Sequence, residues 1–399
     1  MASVDAVRRL AELAVVFGAN VQPGQVVGVG AEVGHQDLVR AVADAAYRHG
    51  ARYVDVELSD PHVHRSRVLH APADALGYQS RWREARIREL DEEHGASVRI
   101  LGPTAPGLFD DLDPVRVLRA QGPRSRAWRE VEHRVNCTII PGPTVGWAQS
   151  LWPDLPADGA LSELWREIAI ACRLDAEDPV AAWRERFAAL AARARALSAL
   201  TLDAVHFQGP GTDLVLGLPA TAHWEHAGNL NDRGVEHAWN LPSEEVFTVP
   251  DRDRVDGQVR LTRPALVGER LIEGVSLTFL AGQVVDVSGP DGVQALREFV
   301  ACDPGAAHLG EVALVDRDSE VGRLGRTFGV ILLDENAASH IALGFGFPEL
   351  VGEADRDRVN DSGDHLDVMI GSDEIAVTGL HADGRRTPLL RDGRWRLDT

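Results

Sequence analysis

Gln25-Val-Val-Gly-Val-Gly30, a polar turn, a helical stretch over Asp37 to His49 and Arg52-Tyr-Val-Asp-Val-Glu-Leu58 read together as a strand-helix-strand unit. Both flanking runs are valine-rich and of strand length. Such a unit crosses over right-handed and pairs its strands in parallel. Working outward, residues 5–18 place Val7, Leu10, Leu13 and Val16 on one side of an amphipathic helix that covers a sheet face. Beyond a charged helical stretch over 80–94, Ser97-Val-Arg-Ile-Leu101 and Asn136-Cys-Thr-Ile-Ile140 supply further strands. The spacing therefore predicts an α/β amino-terminal domain with a mainly parallel sheet.

A helix from Asp178 to Leu200 follows, with Val180, Trp183, Phe187, Leu190 and Leu197 as its apolar stripe, Asp178 as N-cap and Pro179 in the first turn. The domain junction falls on this helix, dividing the chain into 1–185 and 186–399. After it the pattern shifts to short β-like runs: 204–207, 212–217, 258–262, one long run over 275–287, and 374–378. Helices are expected near 292–301 and 334–342, giving an α+β carboxy-terminal domain.

Composition narrows the function. The chain has 399 residues and a net charge of -20, which disfavours an extended nucleic-acid surface, because phosphate binding needs clustered cations. It contains no lysine, so Schiff-base chemistry on a side-chain amine is excluded. Three distant cysteines, Cys137, Cys172 and Cys302, give neither a disulfide framework nor a thiolate zinc pattern, which fits a reducing cytoplasm. The first residues have no basic start followed by an apolar core, and no window reaches the roughly 20 apolar residues of a membrane span, so a membrane partner is not expected. Gly28-Val-Gly30-Ala-Glu-Val-Gly34, with Asp55 further on, suggests a dinucleotide-binding turn. Its glycine spacing is one residue too long for that motif, so a plain tight turn is the simpler reading.

Four segments of the carboxy-terminal domain carry the chemistry: Asn240-Leu-Pro-Ser-Glu244-Glu245-Val-Phe-Thr-Val-Pro250, Leu309-Gly-Glu311-Val-Ala-Leu-Val315, Asp334-Glu-Asn-Ala-Ala-Ser-His340, and Asn360-Asp-Ser-Gly-Asp-His365-Leu-Asp367-Val-Met-Ile. His365 and Asp367 are two apart in a strand-like run, which sets them on one face. Glu311 lies in an apolar strand, where an ionised carboxylate is expensive unless paired or metal-bound; Arg297 is an alternative partner. His340 ends a helical turn whose small residues allow close packing, and taken singly it reads more readily as a satisfied core histidine than as a ligand. Glu244 and Glu245 are adjacent, so in an extended chain they point opposite ways and can divide metal binding from proton transfer. Mixed carboxylates and imidazoles without cysteine suit a catalytic pair of divalent ions, zinc, cobalt, manganese or magnesium, rather than a structural zinc. His223 and His226, three apart, face opposite ways in a strand, and with His206 and His237 they stand outside this set.

At these segments the sequence resembles the M29 metallopeptidases, the thermophilic aminopeptidases. Gly209-Pro-Gly-Thr-Asp-Leu214 and Arg386-Thr-Pro-Leu-Leu-Arg391 extend the likeness over essentially the whole chain. The resemblance implies an aminopeptidase acting on peptides with a free amino terminus, two divalent metal ions and a homodimer. The family's ligand positions fall on Glu245, Glu311, His340, His365 and Asp367, and Glu244 is the candidate general base. One position departs: the family's tyrosine seven residues beyond the histidine is Phe347 here, and Tyr47, Tyr53 and Tyr78 all lie in the other domain. A member that keeps metals and fold but has lost turnover, acting as a binding or scaffold dimer, is the alternative this substitution raises.

Overall fold

The valine-rich strand pattern of the opening stretch is realised in a computed structural model that describes residues 4–121, 125–268, 270–290 and 293–397. The chain divides into two compact units, Met1–Phe187 with Ala227–Ser243, and Ala188–His226 with Glu244–Thr399.

The first unit is built on a four-stranded parallel sheet with strands in the order Tyr53–Ser59, Val26–Glu32, Ala96–Leu101 and Asn136–Pro141. Alternation buries Val27, Val29, Val98 and Ile100 beneath helices. Helix Gln36–Arg48 turns Leu38, Val39, Val42, Ala45 and Ala46 inward. The stretch expected as one helix over 5–18 is α-helical only over Val4–Leu13 and widens to a π-turn over Ala14–Gly18. Gly28 and Gly30 lie inside the strand Val26–Glu32 rather than in a turn. Asp55, the acid of the dinucleotide pattern, accepts from Arg86 Nε at 2.5 Å.

Helix Pro179–Ala199 begins where Asp178 Oδ1 accepts the Ala181 N–H at 3.0 Å, an N-cap, and Trp183 and Leu190 are buried along its stripe. The second unit contains an eight-stranded antiparallel sheet centred on the hairpin Ala204–Gly209 and Thr212–Gly217. The long β-run expected over 275–287 is two strands, Ser276–Leu280 and Gln283–Ser288, joined at Ala281 and Gly282. Gly282 has φ of 84°, and a Cβ there would stand 1.8 Å from Arg252 O, so only glycine closes this turn.

A second sheet in this unit positions the chemistry. Its four antiparallel strands run in the order His365–Met369, His340–Gly344, Leu309–Val315 and Glu245–Thr248. One face is apolar and buried: Val312, Leu314, Ile341, Leu343, Val368 and Val246.

Candidate metal centre

The other face of that sheet carries every residue singled out as a metal ligand. Ala342 pairs with Asp367 on one side and Glu311 on the other; Ala313 pairs with His340, Gly344 with His365, and Val315 with Glu245. Directly paired residues of an antiparallel sheet share a face, so period-two alternation sends all five functional side chains the same way. The positions between them on this face are Ala313, Ala342 and Gly344, whose small side chains leave room for the larger ones to converge.

The convergence is close. His340 Nε2 lies 3.2 Å from Glu245 Oε2 and 3.8 Å from Asp367 Oδ1. His365 Nε2 lies 3.3 Å from both Glu311 Oε2 and Asp367 Oδ1. Ligand atoms of Glu245, Glu311 and His340 fall within 4.8 Å of one another, as do those of Glu311, His365 and Asp367, so the two groups share Glu311. His340 is 1% exposed and Glu311 5%.

Sequence reading placed His340 at the end of a helix, and here the structure differs. Ile331–Asp334 is a single α-turn, Glu335–Ala337 a 3-10 turn, and His340 opens a strand. The helix stops because its polar side chains bond elsewhere. Asp334 accepts the N–H groups of Phe328 at 2.7 Å and Val330 at 3.1 Å. Asn336 Nδ2 donates to Leu332 O, while its Oδ1 accepts the Glu244 N–H at 2.6 Å.

Gly344 has φ of 102°, and a Cβ there would stand 2.0 Å from Asp364 O. That tight crossing sets His365 opposite it in register. The alternative partner for Glu311, Arg297, instead donates to Val287 O at 2.8 Å.

A fourth acid belongs to the site. Glu335 is buried, and burial pushes its carboxyl well up, reinforced by repulsion from Glu245 and Asp367. No local pattern distinguishes it from Asp334; the tight turn before His340 is what delivers it. Burial likewise raises Glu311, although His365 pulls against the rise. Burial would lower His340, but Glu245, Asp367 and Glu311 outweigh it and hold the imidazole up at about 10. His365 is raised in the same way by Asp367 and Glu311. Burial opposes ionisation of Asp367, yet the two imidazoles bring its carboxyl down. The site is thus a buried field of negative charge that strongly favours cations.

The donor set fits divalent metal. His340 Nδ1 faces Ala338 O at 3.3 Å and His365 Nδ1 faces Phe345 O at 3.0 Å. A carbonyl oxygen only accepts, so each Nδ1 carries the proton and each Nε2 can present a lone pair inward, the outer-shell arrangement of metal-binding histidines. Apart from the His340 Nε2 that faces it at 3.2 Å, Glu245 Oε2 is buried without a hydrogen-bond donor, as expected of an oxygen reserved for a cation.

The other histidines are engaged elsewhere. His206 Nε2 bonds Asp213 Oδ1 at 2.6 Å, and His237 Nδ1 donates to Cys137 O at 2.9 Å. His223 and His226 stand 3.9 and 3.6 Å from Glu225, whose backbone pairs with Phe247. Cys302, Asp303 and Asp364 also cluster, but Asp303 is occupied by the N–H groups of Gly305, Ala306 and Gly363 and the Ser362 hydroxyl, which makes the group a loop clasp.

Comparison with known proteins agrees with this geometry. The family model described as thermophilic metalloprotease (M29) matches residues 4–395. Aminopeptidase T of Thermus thermophilus is 41% identical over 97% of each chain, and Aminopeptidase 2 of Geobacillus stearothermophilus is 37% identical over 98% of this chain and 97% of the relative. The solved structure of wild-type AmpT from Thermus thermophilus superposes with a TM-score of 0.89 at 39% identity, covering 98% of this chain and 99% of the other. With the match running nearly end to end, the chain belongs to the thermophilic metalloprotease (M29) family.

Proposed function

We propose that this protein is a metal-dependent aminopeptidase that releases amino-terminal residues from peptides, its dinuclear site carried by a catalytic domain over 186–399. The observation that carries the reading is the gathering of three carboxylates and two imidazoles on one sheet face, with Glu311 common to both groups. Glu245, Glu311, His340, His365 and Asp367 are the assigned ligands of two divalent ions, and the nitrogen and oxygen donors suit zinc, cobalt, manganese or magnesium. Such ions, when bound, polarise a carbonyl and acidify a water.

The protein's own residues do the rest. Glu244, buried beside Glu245 with its backbone fixed by Asn336, is the assigned general base, taking the proton of the attacking water and returning it to the leaving amine. A peptide's ammonium group meets more carboxylates than imidazoles here, three against two before Glu335 is added, which favours binding by the amino end. Support for the amino-end specificity comes from the relatives named aminopeptidase T and aminopeptidase 2. A homodimer is the assembly the family resemblance implies, and light scattering measures it.

The test is His340→Ala. Metal content and cleavage of leucine p-nitroanilide should both fall in the variant, with an amino-terminally acetylated substrate untouched by either protein. Full metal content or retained cleavage in the variant overturns the ligand assignment, and cleavage of the acetylated substrate overturns the amino-end specificity.

A further inference from the structure

A cavity of about 850 Å³ opens in the second unit outside the set of assigned ligands. Part of its wall is Ala337, Ala338 and Ser339, the three residues before His340. Arg263, Arg317, Arg323 and Arg326 also line it. A space of that size accommodates a small organic ligand.

The charges around the cavity are mostly matched. Asp373 pairs with Arg317, Asp318 with Arg394 at 2.9 Å, and Arg323 faces Glu320 at 3.5 Å. Arg263 has no such ion pair among the described residues. It is half-buried, and its one hydrogen bond given by the structure runs from Nη1 to Arg326 O at 2.9 Å. Among the described residues no carboxylate lies within 4 Å of its guanidinium. Asp334 is near enough to be felt, but its oxygens already accept backbone N–H groups. Burial costs a guanidinium free energy when no carboxylate pairs with it directly, and here it draws Arg263 below its usual range despite the opposing field of Asp334. A planar guanidinium with free donors on a cavity wall matches a carboxylate.

We propose that this cavity binds the carboxylate of a small ligand of the class of a peptide carboxy terminus, with Arg263 as its anchor. The ligand would rest against the segment whose Ala338 carbonyl accepts from His340 Nδ1, so occupancy bears on the strand that carries His340.

Isothermal titration of the full-length, metal-loaded protein with N-acetyl-alanyl-alanine, its carboxy-terminal amide and inorganic phosphate tests this. Acetylation removes the amino group on which the aminopeptidase reading depends, so the outcome is independent of turnover. The acid is expected to bind, the amide at least tenfold more weakly, and Arg263→Gln should weaken the acid at least tenfold. Ser372→Trp, an exposed position on the lining, should block binding without touching Arg263 and serves if Arg263→Gln unfolds at a lower temperature than wild type. Equal affinity for acid and amide, undiminished binding by the usable variant, or binding of phosphate but not of the acid overturns the proposal.

Discussion

Asp367 stands directly across from Ala342 in the antiparallel pairing, and Ala342 stands across from Glu311. The smallest chiral side chain on this face therefore lies between two assigned metal ligands. Replacing Ala342 by valine adds two methyl groups into a fully buried position. Overpacking of this kind costs about 1–3 kcal/mol. The expected outcome is a folded protein with sharply reduced metal content, read by elemental analysis beside urea unfolding. Full metal content at reduced stability would show that the space above Ala342 is not where the ions sit.

Gly344 makes a different demand. Its φ of 102° and the 2.0 Å approach to Asp364 O leave no place for a Cβ. Gly344→Ala should lose about 1–3 kcal/mol through backbone strain alone, with more from displacing strand His365–Met369. Denaturant unfolding measures the loss, and activity should fall further than stability because His365 moves with the strand.

Phe347 packs among Phe247, Phe345 and His365, with its ring centroid 5.9 Å from that of His365. A tyrosine, which the family resemblance implies here, would bring a hydroxyl to this position. Removal of one oxyanion donor elsewhere costs about 10²- to 10³-fold in kcat. Phe347→Tyr should therefore raise kcat, by tenfold or more, with little change in KM. An unchanged kcat would mean that the hydroxyl has no part in the rate-limiting step of this chain.

Much of this architecture is written locally, and the exceptions have physical causes. Leu309-Gly-Glu-Val-Ala-Leu-Val315 and His365-Leu-Asp-Val-Met369 declare themselves as strands because side chains alternate with period two, and that period alone puts His365 and Asp367 on one face. Which other strands lie beside them is long-range information; here the resemblance to known sequences supplied what periodicity could not. Ala337-Ala-Ser-His340 looks helical because alanine favours helix, and the turn is broken by contacts from distant residues: Asn336 binds Glu244, and Ser339 Oγ accepts the Val315 N–H. Glu335 was invisible for the same reason, since its burial follows from that tertiary turn. The hairpin at Ala281 and Gly282 is hard to read locally because only the short Ala-Gly-Gln step separates Phe279-Leu280 from Val284-Val285.

Asp334 gives the pH prediction. Burial is the largest influence on its carboxyl and pushes it up to about 6 from 3.8, against the pull of backbone N–H groups from Phe328, Gly329 and Val330. The folded protein thus holds a proton there over a range where the unfolded chain has released it. Stability from this group is fully present below pH 3.8 and is lost as pH rises through about 6. At roughly 1.4 kcal/mol per pH unit, the interval corresponds to about 3 kcal/mol. Asp334→Asn removes the titration but turns an amide donor toward one of two N–H groups that need an acceptor, leaving it unsatisfied at about 1–3 kcal/mol. The variant should be less stable than wild type at pH 4.5, with the gap narrowing as pH rises to 7.5, read as the difference in unfolding free energy between the two proteins at each pH. A gap that is constant across this range would place the Asp334 carboxyl near its ordinary value in the folded protein, and a gap that widens would mean that the backbone donors, rather than burial, dominate its environment.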